Sequence, residues 1–267
     1  MGQVVHTLPE GEKVVGVTSL ADEVYVLREK RRDQVEVYDV INYRLQRCLT
    51  VPNMSGFTPD MTSCKHHRCV YIADDIRECI HRLDVRRVFT RWAVKDKPRG
   101  LSVNAAHSVL VTCRVVRKIK EFSSHGDLLR ELTLPSDVIS PHHAIQTLNG
   151  EFIVCHGRST DVVSRVCKIS ADGRHIIKSH GGQPFSEFGG VYRYLAVDSK
   201  EFVLVADVDS GNRRVTLLSP TLHYVRQVVL SDDLNWRPYR LCLDIRRRRL
   251  YVADNSHATG YVVVFSA

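Results

Sequence analysis

The chain has 267 residues, enough for one large core or two modest domains, and enough to hold a core without disulfides or a structural metal. Hydrophobic residues at 43% and charged residues at 25% exclude a disordered, collagen-like or coiled-coil chain. The net charge of +8 allows attraction to polyanions, so the placement of the charge has to decide what it means. Apolar runs such as Tyr261 to Phe265 are only strand-sized, and no basic-then-apolar leader opens the chain. The expectation is a soluble protein of the cytoplasm or nucleus with no membrane partner, its eight cysteines held as thiols.

In chain order, the first element is the strand pattern Gln3 to Pro9. After it, six short β-branched segments recur: Val24 to Leu27, Val70 to Ala73, Val109 to Thr112, Phe152 to Cys155, Val203 to Ala206 and Leu250 to Ala253. Taken at Val26, Ile72, Val111, Val154, Val205 and Val252, their spacings are 46, 39, 43, 51 and 47 residues, a period that signals a repeat architecture. Several have a strand just before them across a polar turn, as in Tyr194 to Asp198 and Arg240 to Asp244. All are followed by a third strand, and five of the six by a fourth, such as Leu45 to Val51 and Leu128 to Leu134. The missing fourth strand is at the front of the chain, because Gln3 to Pro9 resembles Arg130 to Pro135 and Arg47 to Pro52. The reading is an all-β, six-bladed β-propeller spanning residues 1–267 as a single domain, its N-terminal strand closing the last blade.

The run Tyr194 to Asp198, Val203 to Asp207 and Asn212 to Val215 resembles the NHL-repeat family of six-bladed propellers, as does Leu243-Asp244 with Leu250 to Asn255. Blades 1, 3 and 4 lack the Ala-Asp pair and carry Leu27-Arg28, Thr112-Cys113 and Cys155-His156 in its place. The resemblance implies two possible activities. Some tripartite-motif-type NHL propellers bind single-stranded RNA on one face, and other six-bladed relatives are calcium-dependent lactonases and phosphotriesterases.

Loops from a fourth strand to the next first strand, and from second to third strands, should share one face, the upper face, where binding residues collect. Aligning the six entries places Arg99, His142, Arg193 and Tyr239 at equivalent positions, followed by Gly100, His143, Tyr194 and Arg240. Trp236 lies in the same loops, with Phe57, Phe185, Phe188 and Tyr192. Mixed arginine and aromatic surfaces are typical of binding hot spots, so Arg99, His142, His143, Arg193, Tyr194, Trp236, Tyr239 and Arg240 are the expected binding residues. The alternative for the same residues is internal: aromatics wedged between blades, arginines paired with loop carboxylates. Ten upper-face acids, including Asp74, Asp207 and Asp254, roughly balance the basic residues there, which argues against a simple RNA groove.

Other clusters read less strongly. Arg246 to Arg249 falls in a turn between two strands and suits a solvated hairpin. Cys64-Lys65-His66-His67-Arg68-Cys69 has zinc-type ligands, but neighbouring side chains of an extended strand point to opposite faces and would separate the two histidines, so a solvated turn is the expectation. A calcium site needs converging carboxylates, and the aligned mouth offers only Asp60 against three arginines. Cys155-His156 with His142-His143 could supply a nucleophile and base only if they touch. The expectation is a non-enzymatic recognition module without metal or cofactor, binding an acidic protein or peptide, with single-stranded RNA as the alternative and a metal-dependent hydrolase as the third reading.

Overall fold

In the computed structural model, described here for residues 3–29, 31, 33–55, 60–84, 88–158, 162–181, 192–208, 213–229, 237–255 and 259–267, antiparallel sheets follow one another along the chain. Blade 1 is Val14–Leu20, Glu23–Arg28, Gln34–Asp39 and Leu45–Thr50; blade 2 is Met61–Cys64, Cys69–Asp74, Cys79–Asp84 and Phe89–Ala93. Blade 3 runs over Pro98–Val103, Val109–Cys113, Lys118–Phe122 and Leu128–Thr133, and blade 4 over His143–Gln146, Phe152–Arg158, Val162–Ile169 and Ile176–Gly181. Blade 5 comprises Tyr192–Val197, Val203–Asp207, Arg214–Leu218 and Tyr224–Val229. Blade 6 takes Arg237–Asp244, Arg249–Asn255 and Thr259–Ser266 from the end of the chain and Val4–Thr7 from its start. The protein is a six-bladed β-propeller.

Closure runs through antiparallel pairs Val4↔Phe265, His6↔Val264 and Thr7↔Val263, with Gly11 and Glu12 continuing opposite Gly260 and Thr259. Leu8 donates its N–H to Val262 and is wholly buried, so the N-terminal strand brings a core residue as well as a ladder. Arg28 reinforces the junction. Its guanidinium donates to the carbonyls of Pro9, Glu12 and Gly260 and pairs with Glu36 at 2.8 Å, tying the entering segment to blades 1 and 6. Asn255 adds a second clasp by accepting from Val14 N–H and donating to its carbonyl.

The apolar repeat explains the packing, because each buried second strand offers both faces to neighbouring sheets. Six clusters of buried residues result, one per seam. Tyr251, Val262 and Val264 of blade 6 pack on Val17, Val24 and Val26 of blade 1, and Leu250, Val263 and Phe265 on blade 5. The other four clusters fill the remaining seams in the same way. Near the axis there is little room. A Cβ on Gly100 would land against the His142 carbonyl oxygen, well inside the 3.0 Å that real Cβ atoms respect, so only glycine lets blade 3 approach blade 4 there.

The polar ends of the repeat cap turns. Asp74 Oδ1 accepts from the N–H groups of Ile76 and Arg77, and Asp198 Oδ1 from those of Lys200 and Phe202. Such Asx contacts satisfy backbone donors that a tight turn leaves open. This is the physical content of the recurring aspartates in the sequence.

Candidate functional site at the upper channel mouth

Six first strands line the axis, and their upper ends converge where the sequence places the candidate residues. At the centre is Asp60, 1% exposed, which enters blade 2. Its Oδ1 lies 3.0 Å from Arg240 Nε of blade 6. Its Oδ2 accepts from Leu101 N–H of blade 3 at 2.7 Å and from the Tyr194 hydroxyl of blade 5 at 3.2 Å. Blade 4 joins through His143, whose ring stacks on Tyr194 at 3.9 Å and whose Nε2 lies 2.9 Å from the Leu101 carbonyl. One carboxylate therefore ties together four blades across the axis, and His143 adds the fifth.

Four expected binding residues lie in or beside this network. Arg240, Tyr194, His143 and His142 are all buried. Arg240 is held by Asp60 and lies over the rings of Tyr239 and Tyr194, 4.4 and 5.1 Å from their centroids. Burial works against its charge, but Asp60 restores it and the guanidinium stays protonated. The same burial pushes the Tyr194 hydroxyl well above its ordinary range, so it remains a donor to Asp60. These side chains face inward, as the internal alternative for the aligned residues anticipates.

Arg99, Arg193 and Tyr239 are different, because each is only half-buried at the mouth. Arg193 Nη1 lies 2.6 Å from His142 Nε2, which is also 3.0 Å from the Gly157 carbonyl, so in any one tautomer this nitrogen serves one of the two. Burial, followed by the charges of Arg193 and Arg99, pushes His142 down to about 2, so the imidazole is neutral. Burial and then Arg99 also lower Arg193, the signature of two guanidinium groups crowded together. For Tyr239, burial acts to raise the pKa, but Arg240, Arg99 and Arg193 outweigh it and bring the phenol below its usual value. Among the described residues the mouth is thus electropositive. Among the described residues no carboxylate stands within 4.0 Å of Arg99 or Arg193, whereas Arg240 has Asp60.

The acids counted on the upper face divide as well. Asp74, Asp207 and Asp254 are turned into the blades and fully buried, and Asp207 pairs with Arg214. Trp236 lies outside the described residues, with Phe57, Phe185, Phe188, Asp209, Asp232 and Asp233; of Tyr192 only the backbone is described.

The proposed nucleophile and base do not meet. Cys155 Sγ points to the His143 carbonyl at 3.6 Å, and burial pushes its thiol up to about 12. His156 turns instead to Cys167, 3.1 Å from its Sγ, and burial, then Arg165, lowers its imidazole to about 4. Both are closed off inside blade 4. All eight cysteines are free thiols.

Cys64 to Cys69 makes the expected turn, but one that brings its two histidines together rather than separating them. Residues 65–68 form the turn between the first two strands of blade 2, and the rings of His66 and His67 meet edge to face at 4.8 Å. The cysteines at its ends are buried. At Arg246 to Arg249 the structure has the expected hairpin turn, with Arg247 paired to Asp244 and Asp22.

No family model matches the chain, and no curated protein does. Solved structures do, at low identity. The chain is similar to virginiamycin B lyase from Staphylococcus aureus, with 9% identity and a TM-score of 0.64 over 95% of this chain and 87% of that one. It is similar to hydrazine synthase from Kuenenia stuttgartiensis, at 13% identity and a TM-score of 0.66 over 98% of both chains. It also matches the β-propeller domain of Cps50 (Swd1) from Myceliophteria thermophila, at 11% identity and a TM-score of 0.65 over the whole of both. These likenesses concern the fold, and they join enzymes with a propeller domain of another kind.

Proposed function

We propose that this propeller is a non-enzymatic recognition module whose upper channel mouth captures an acidic group of a protein or peptide. The observation that carries the reading is the unequal treatment of three arginines: Arg240 is neutralised by Asp60, while Arg99 and Arg193 are half-buried, crowded and without a carboxylate among the described residues. Bringing like charges together costs free energy that an incoming carboxylate or phosphate would recover through charge-assisted hydrogen bonds. Tyr239, beside both, offers a flat amphipathic surface of the kind enriched in binding hot spots. The NHL-like pattern of blades 5 and 6 supports the same reading. The closed-off Cys155 and His156 offer no exposed nucleophile.

Paired R99A/R193A variants test it. Capture of acidic and phosphorylated peptides on an immobilised array should fall about tenfold or more, because two charge-assisted contacts are lost. Unchanged capture removes the site. Single-stranded RNA is the competing outcome, recognised by a steep fall in binding as salt rises.

A further inference from the structure

The opposite face of the ring carries a cluster that the upper-face function does not use. His66 and His67 sit in the first turn of blade 2, and His107 occupies the equivalent turn of blade 3. The His66 and His107 rings stack at 4.1 Å, 4° from parallel, and His67 meets His107 edge to face at 6.0 Å. All three are at least partly exposed, and His66 and His107 border the lower opening of the channel. We propose that His66, His67 and His107 form a binding site for a divalent transition-metal ion, zinc being the representative case, which pins blade 2 to blade 3.

Three imidazoles are a donor set of borderline softness that suits zinc, with one coordination position left for water. Around the site, Arg82 and His125 face His67. Of the other cations around the site, Lys65 is drawn off by Asp244 at 3.2 Å, and Arg68 is an exposed turn residue. In their present rotamers the three rings do not aim their nitrogens at one point. The proposal requires the three exposed or half-buried turn side chains to rotate so that their nitrogens converge. The ion would join the two turns through shared ligands, which is the source of the stabilisation.

A second group, Asp74, Cys79 and His81, brings its ligand atoms within 4.8 Å of one another but is a weaker candidate. It is buried, and the Asp74 carboxylate already accepts the N–H groups of Ser55, Ile76 and Arg77. It serves as the internal control.

The test is zinc titration of the whole chain against a chromophoric chelator, with thermal melts. The expected result is one tight equivalent, a raised melting temperature, and selective shifts of three imidazole signals in NMR spectra. His66→Gln and His107→Asn should each weaken binding about tenfold or more. Asn is chosen at 107 because that residue has φ +63°, a conformation Asn tolerates. His81→Gln should leave binding intact. Melts without zinc report whether the turn variants keep the native fold, and the imidazole shifts of the unmodified chain decide the question even if one does not. Unchanged zinc affinity in both turn variants, only millimolar binding, or loss of the tight equivalent in His81→Gln with the turn imidazoles unshifted would each overturn the proposal.

Discussion

Asp60 and Arg240 form an ion pair at 3.0 Å between blades 2 and 6, which are not neighbours in the ring. The pair therefore reaches around blade 1 at the axis, and its Oδ2 arm reaches blades 3 and 5. Breaking a buried pair by removing one partner strands the other charge, at a cost of about 3–5 kcal/mol. Asp60→Asn should lower unfolding stability by that order in denaturant titration. Adding Arg240→Met to it should recover much of the loss, and failure to recover would show that Asp60 acts through Leu101 and Tyr194 instead.

The closing strand makes a separate prediction. Removing residues 1–9 exposes the partner surface of fully buried Leu8, about 2 kcal/mol by area alone, and takes away the Pro9 acceptor of Arg28. Melting should become less cooperative and its midpoint should drop. An unaltered melt would contradict the closure of blade 6 by Val4–Thr7.

His156 predicts a pH dependence. Burial, then Arg165, lowers its pKa from 6.5 to about 4, so the unfolded chain binds the proton more readily than the folded one. Stability from this group is present above about pH 6.5 and is lost as pH falls towards 4, by at most about 3 kcal/mol. Comparing stability at neutral and mildly acidic pH in the native chain and in His156→Gln isolates it, since the variant should show a shallower slope.

Tyr239 reports the electropositive mouth without any ligand. Its phenolate should appear at lower pH than that of ordinary tyrosines in a spectrophotometric titration, and Tyr239→Phe should remove that early step. Arg99→Ala should move the step upward, because one of the cations favouring the phenolate is gone. No upward movement would place Arg99 away from the phenol.

Gly100→Ala probes the crowded axis. The added methyl meets the backbone at His142, which cannot rotate away, so overpacking should cost about 1–3 kcal/mol. A neutral substitution, read by denaturant midpoint, would show that blades 3 and 4 can separate there at little cost.

The blade count, the strand order and the closure by the N-terminal segment were legible in the sequence, because each depends on local signals. Strand-length apolar runs such as Val203 to Ala206 repeat at a fixed interval, and Gln3 to Pro9 matches the missing fourth strand. Alignment of the repeats also brought Arg99, Arg193, Tyr239 and Arg240 to one end of the ring. Which of them stays available was decided only in three dimensions. Arg193 and Arg240 occupy adjoining positions of neighbouring repeats, yet Asp60, far away along the chain, neutralises one and leaves the other. The same holds for Asp74, which looks like a surface acid in the sequence and is a buried turn cap in the fold, and for His66 and His107, which meet only because two turns lie side by side. Periodicity is written residue by residue along the chain, whereas charge neutralisation and burial depend on distances across the ring, and those exist only once the six sheets have closed.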